Sequence, residues 1–123
     1  MSTTGDWCFK DPSLEDNLKK ALTEMILLHL LSREEQYIGA LSEIIQKKSG
    51  GSLTLVFPYA AIYRMQQAEL IEESGKRIAP DGRRRQYFRI TDVGRKQLDR
   101  LLHTYRLFIR GLEMIIDEGA DAT

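Results

Sequence analysis

Three consecutive arginines, Arg83-Arg84-Arg85, follow Pro80-Asp81-Gly82 and lead into Gln86-Tyr87-Phe88-Arg89-Ile90. Pro-Asp-Gly is turn chemistry, and the runs on either side predict the two strands of a hairpin, Lys76 to Ala79 and Arg84 to Ile90. Like charges crowded at one turn repel, so the cluster implies a polyanion as its counterpart. Arginine suits that task because it pairs with phosphates and enters narrow minor grooves. In the return strand, Phe88 and Ile90 alternate with Tyr87 and Arg89, which predicts one apolar face and one cationic, aromatic face whose Tyr87 and Arg89 can add contacts to a DNA backbone. Because alternate strand residues face opposite sides, Arg83 at the turn and Arg85 are expected to matter more than Arg84. Upstream, Pro58 can open a helix whose free N-terminal N–H groups favour a phosphate. On that helix Tyr59, Tyr63 and Arg64 are the candidate DNA readers, Arg64 for a guanine edge or a phosphate. Ile62, Met65 and Leu70 read as core.

The remaining reactive residue types form no constellation. His29 lies inside an apolar run and reads as a packed or interface histidine, and His103 lies between Leu102 and Thr104. There is no Ser/His/Asp or Cys/His set, no paired-carboxylate motif and no Gly-rich phosphate loop, so no enzyme activity, metal or cofactor is expected. The single cysteine, Cys8, cannot close an internal disulfide, which fits a cytoplasmic protein. No apolar run approaches the length needed to span a bilayer, and no membrane partner is expected.

Charge is unevenly distributed along the 123 residues, although the formal net charge is zero. Residues 1–75 carry net −4, residues 76–110 net +8 and residues 111–123 net −4. A concentrated basic segment inside a neutral chain points to a local polyanion-binding surface.

The elements that must position these residues follow from periodicity. Asp11-Pro12-Ser13 predicts a helix start with Asp11 as N-cap, and Leu14, Leu18, Ala21, Met25 and Leu28 follow at helical spacing. Ser32 is the next candidate N-cap, opening a second helix that carries Tyr37, Ile38, Leu41, Ile44 and Ile45 and ends at Gly50-Gly51. Leu53 to Phe57 reads as extended. The Pro58 helix is expected to run to about Ser74-Gly75. Thr91 is the candidate N-cap of the last helix, with Asp92 in its first turn. The predicted fold class is mainly α with a small β-hairpin: a winged helix-turn-helix followed by a long C-terminal dimerisation helix. Its expected divisions are a polar N-terminal lead over 1–13, a DNA-binding domain over 14–91, the dimerisation helix over 92–118 and a tail over 119–123. The last helix is too long and too apolar for so small a body to cover, so a homodimer is expected. Its interface is expected from Leu14, Leu18, Leu98, Leu101, Leu102, Tyr105, Phe108, Ile109, Leu112 and Ile115.

The stretch Gly82-Arg83-Arg84-Arg85-Gln86-Tyr87-Phe88-Arg89-Ile90-Thr91-Asp92-Val93-Gly94 resembles the wing and wing exit of the PadR family of bacterial transcription regulators. Pro58-Tyr59-Ala60-Ala61-Ile62-Tyr63-Arg64-Met65, followed by Leu70-Ile71, is similar to that family's recognition helix. The resemblance spans about residues 14–116, and the single helix after the wing is similar to the short PadR subfamily. The sequence departs from the family at Ile38-Gly39, at Leu55-Val56-Phe57-Pro58 and at Glu69, where a glycine is usual. The resemblance implies a repressor of double-stranded DNA targets that binds a pseudo-palindromic operator as a homodimer and is released by a small hydrophobic or aromatic effector. Trp7, Tyr105 and Phe108 are the aromatics available to such an effector pocket, and dimer core is the competing reading for Tyr105 and Phe108. The alternative function is a winged-helix module that binds protein without direct DNA readout.

Overall fold

The computed structural model describes residues 12–54 and 58–121, with side-chain surroundings for 22–54 and 59–118. The elements are α1 (Pro12–Arg33), β1 (Gln36–Tyr37), α2 (Ile38–Lys48), α3 (Pro58–Gln67), β2 (Ile71–Ile78), β3 (Arg84–Ile90) and α4 (Asp92–Asp121). This is the expected helix-turn-helix, hairpin and long last helix. The expected Asp11 cap, the extended segment through Leu55-Val56-Phe57, Trp7 and the side chains of Leu14 and Leu18 lie outside the described residues.

One core joins every long element. Leu27, Leu28 and Leu31 of α1 meet Leu41 and Ile45 of α2, Ala61, Ile62 and Met65 of α3, and Leu98 of α4. Leu70, Ile71, Phe88 and Ile90 close it from the sheet side. Fully burying one such aliphatic side chain contributes about 1.5–3 kcal/mol, so these contacts dominate the fold's stability.

Four local features differ from expectation. Ser32 does not cap a second helix: its hydroxyl donates to the His29 carbonyl at 2.6 Å and α1 continues to Arg33. A serine hydroxyl can bond back to its own preceding turn, and burial of Leu31 holds that turn helical. Tyr37 consequently leaves the second helix. It sits in β1 as the residue before α2, with extended backbone and no side-chain cap.

The third difference is that the hairpin gains a short third strand. The sheet order is β1-β3-β2, all antiparallel, with Gln36 opposite Phe88 and Tyr37 opposite Tyr87. Two residues are too few for a periodicity to reveal.

The fourth concerns α3, which ends at Gln67 and not near Gly75. Leu70 N–H donates to the Met65 carbonyl and Glu69 N–H to that of Gln66, with Glu69 at φ 60°. This is a Schellman-type end, the same bonding that closes α2 through Gly50 and Gly51. Glycine announces that ending in α2; glutamate at the left-handed position conceals it in α3. β2 therefore starts at Ile71. A bulge between Glu73 and Gly75 shifts its register before it continues to Ile78 opposite Arg84.

The expected cap of α4 is present. Thr91 Oγ1 accepts the Gly94 N–H at 3.0 Å and donates to the Glu69 carbonyl at 2.7 Å. One side chain thus joins the end of α3 to the start of α4. Gly94 lies so close to this junction that a β-carbon there would fall 2.1 Å from the Leu70 carbonyl oxygen.

Candidate nucleic-acid interface

The amphipathic pattern of α3 decides which of its residues can meet a ligand. Ala61, Ile62 and Met65 are buried, as expected of the core side. Tyr59 and Tyr63, one turn apart, are 73% and 63% exposed, and Arg64 beside them is exposed. Gln67 continues that exposed side and Gln66 is half-buried.

The hairpin tip is built by its turn residues. Gly82 N–H donates to the Ala79 carbonyl, and Gly82 adopts φ 84°, which a side chain would disfavour. The Asp81 carboxylate accepts the Arg83 backbone N–H at 3.0 Å and two bonds from Arg85, Nε at 3.1 Å and Nη2 at 2.7 Å. Arg85, Arg83 N–H and the surrounding positive charge hold the Asp81 carboxyl below its usual range. The same pairing raises Arg85.

Alternation separates the three arginines. Arg84 stands opposite Ile78, on the face that includes buried Phe88 and Ile90, while Arg85 stands opposite Arg77 on the other face. Among the described residues, the Arg83 and Arg84 guanidiniums have no ion pair or hydrogen bond. The expectation ranked Arg85 above Arg84, yet Arg85 is the one already held by a carboxylate.

The opposite face of the sheet is more occupied than its sequence suggests. Tyr87, expected to contact DNA, packs edge-on against Tyr37 with ring centroids 5.4 Å apart. Arg77 lies over the Tyr87 ring at 4.3 Å and pairs with Glu35, and Arg85 lies over Tyr37 at 5.5 Å. Arg77, and then the Ser74 hydroxyl, draws the Glu35 carboxyl below its usual range. Partial desolvation and the nearby Asp81 raise the Tyr37 hydroxyl. Arg89 donates to Glu72, directly across the strands, at 2.6 Å. Glu35, Tyr37, Arg77 and Asp81 escaped the sequence reading. Only Asp81, four residues before Arg85, left a local signal.

A groove of about 170 Å³ runs between α2, α3 and β3, lined by Tyr37, Ile38, Gly39, Tyr59, Arg85 and Gln86. It brings Tyr59 of α3 and Arg85 of the hairpin to one place, 26 residues apart in sequence. Tyr63 and Arg64 lie further along α3.

The expected dimer face is divided. Leu98 is only 5% exposed and belongs to the chain's own core, which corrects its assignment to an interface: the first turns of α4 pack across α1. Leu101 and Leu102 are half-buried against the same cluster, and Ile109 is half-buried. Tyr105 and Leu112 lie near the border of exposure, and Phe108 and Ile115 are 65% and 75% exposed. Leu107 and Met114, not anticipated, are exposed as well. Tyr105 lines a concave strip of about 410 Å³ with Arg106, Ile109, Arg110 and Met114, and Phe108 is not part of that lining. Among the described residues no group of acidic, histidine or cysteine side chains is placed to hold a metal, and no helix is long and apolar enough to cross a membrane.

The sequence model of the transcriptional regulator PadR-like family matches residues 27–100, from the middle of α1 to the first turns of α4. An uncharacterized protein of Lysinibacillus sphaericus is 28% identical over 99 residues, 73% of this chain and 90% of that one. Among solved structures, a PadR-like transcriptional regulator from Bacillus cereus is 26% identical with a TM-score of 0.70, covering 81% of this chain and 96% of that chain. A transcriptional regulator from Clostridium thermocellum, 21% identical with a TM-score of 0.68 over 83% of this chain and 96% of that one, shares the fold.

Proposed function

This chain belongs to the PadR-like family of transcriptional regulators, and from that membership we propose a homodimeric repressor that binds a pseudo-palindromic operator in double-stranded DNA and is released by a small hydrophobic or aromatic effector. The observation that carries the reading is the conjunction of an α3 that exposes Tyr59, Tyr63 and Arg64 with a hairpin tip whose Arg83 and Arg84 guanidiniums form no ion pair among the described residues. The exposed side of α3 enters the major groove, where Arg64 reads a guanine edge and Tyr59 and Tyr63 contact backbone or base methyls. Arg83 and Arg84 take flanking phosphates or the adjacent minor groove. Arg85 and Tyr87, engaged with Asp81 and Tyr37, support the tip and contribute less direct contact.

Two copies joined through α4 place two α3 helices on successive major grooves, about 34 Å apart. The exposed apolar stripe of Phe108, Leu112 and Ile115 supports that arrangement. In this reading the effector sits between the two α4 helices, against Tyr105 and Phe108, which lie one turn apart on α4, with Trp7 as a further candidate.

The deciding experiment is selection of bound duplexes from a random pool by the purified protein. The expected product is a two-fold symmetric site with half-sites one helical turn apart. A pool that emerges without enrichment, or with only asymmetric sites, overturns the reading.

A further inference from the structure

Half of the hairpin stands clear of the body. β1 pairs with β3 only through Gln36–Phe88 and Tyr37–Tyr87, so residues 76–78 and 84–86 form a two-stranded ribbon with no third strand. An isolated ribbon of this kind has little stability or fixed direction of its own. On its non-core face six side chains are in contact in one unbroken series. Glu35, in the link between α1 and α2, pairs with Arg77 of β2. Arg77 lies over Tyr87 of β3, Tyr87 meets Tyr37 of β1 edge-on, Arg85 lies over Tyr37, and Asp81 of the turn holds Arg85 through two hydrogen bonds. Neighbouring features fit the series. The β2 bulge turns Ser74 toward it, where Arg77 donates to the Ser74 hydroxyl at 3.1 Å. Gly39 leaves room for the Tyr37 ring, since a β-carbon there would lie 3.2 Å from Tyr37 Cε2.

The charges in this series run against a purely electrostatic surface. Arg77, Arg85 and Arg89, in the most basic segment of the chain, are each paired with a carboxylate. Carboxylates beside a polyanion site weaken attraction to it, so their placement there calls for another role. Exposed ion pairs also contribute little to overall stability, which removes the obvious alternative.

We propose that the series Glu35–Arg77–Tyr87–Tyr37–Arg85–Asp81 sets the angle of the wing against the helix-turn-helix, making Glu35, Tyr37 and Asp81 positioning residues for DNA recognition. It ties the turn of the wing to the link between α1 and α2 and fixes where Arg83 and Arg84 meet the duplex relative to Tyr59 and Arg64. Sequence preference, which needs both contacts in register, depends on it; sequence-independent attraction to phosphate does not. The inference rests on the DNA-binding reading above.

The test compares wild type with Glu35→Gln, Asp81→Asn, Tyr37→Ala and Tyr37→Phe on a duplex recovered by selection and on an unrelated duplex. Each carboxylate-to-amide change removes one negative charge per protomer, so electrostatics alone predicts equal or tighter binding to both duplexes. Asparagine at 81 can still accept the Arg83 N–H, so the turn is kept and the charge-assisted hold on Arg85 is weakened. Positioning predicts the opposite on the selected duplex: an affinity loss of about three- to tenfold, the range of modest coupling through packed networks. It predicts no loss on the unrelated duplex, an unchanged melting temperature, and lower backbone amide order parameters over 79–85. Tyr37→Ala should lose the same preference, and Tyr37→Phe, which keeps the ring, should retain it. If Glu35→Gln and Asp81→Asn bind the selected duplex as tightly as wild type, or leave the hairpin order parameters unchanged, the proposal is overturned. If wild type itself selects no duplex, the DNA-binding reading falls and the proposal with it.

Discussion

Single residues carry two consequences that do not depend on DNA. Glu69 takes a left-handed conformation, φ 60°, at the end of α3. A residue with a β-carbon is disfavoured there by about 1–2 kcal/mol, part of which glycine's greater freedom in the unfolded chain offsets. Glu69→Gly is therefore expected to stabilise the fold by about 0.5–1 kcal/mol, measured by urea unfolding, and an unchanged or lower midpoint would contradict the strain. The second consequence concerns the carboxyls of Glu35 and Asp81, both lowered, chiefly by hydrogen bonds from Arg77 and Arg85 respectively. A carboxyl lowered by folding contributes above its unfolded pKa, and the contribution is lost as pH falls through the folded value. The two ion pairs should thus be intact from neutral pH down to about pH 5 and break only below the usual carboxylate range. Carboxyl carbon shifts followed through an acid titration should give midpoints below those of unfolded peptides; midpoints at or above them would refute the pairing.

At the scale of the element, the wing separates direct contact from support. Arg83 and Arg84 occur twice in a dimer, and each phosphate contact contributes about 0.9 to the log–log salt slope of binding. Changing both to alanine should flatten the slope by roughly 2–4 units and weaken binding on every duplex. Arg85→Ala should leave the slope near wild type while weakening the selected site, because Asp81 already holds that guanidinium. Titration of binding against salt distinguishes the two, and a large slope change for Arg85→Ala would return it to the direct contacts. The wing and its arginine turn were legible in advance because Pro80-Asp81-Gly82 and the Phe88/Ile90 alternation are local patterns. The early start of β2 was not, because nothing in Glu69 advertises the end of a helix.

At the scale of the molecule, α4 reaches beyond the body that bears it: 30 residues at about 1.5 Å each make a rod of about 45 Å. Its first turns are held by the core through Leu98, whereas Phe108 and Ile115 are exposed. Substitutions at the two ends should therefore separate folding from assembly. Phe108→Glu or Ile115→Asp is expected to yield a folded monomer by sedimentation at micromolar concentration, with little change in circular dichroism. Leu98→Asp, which buries a charge in the chain's own core, should lose several kcal/mol, about 3 or more, and fail to fold. Sedimentation showing wild type itself as a monomer would remove the dimer from the proposed function.

Periodicity and turn chemistry alone determined that there are four helices and a hairpin among the described residues, though not where α2 begins or α3 ends, and also the Thr91 cap, the buried set of Ile62, Met65 and Leu70 and the exposed stripe on α3, because each is decided by residues within one or two turns of one another. The family resemblance rested on the same local stretches. Tertiary structure decided what happens across the sheet. It put Tyr37 beside Tyr87, Glu35 beside Arg77 at a separation of 42 residues, and Leu98 in the core instead of an interface. Strand register and the bulge at Ser74 select the partners of Tyr87 and Arg77, and a one-residue slip of either strand would move its side chains to the other face. That Arg77 and Arg89 are already neutralised is therefore a property of the register, visible only once the strands are paired, whereas the Asp81–Arg85 pair is local to the turn.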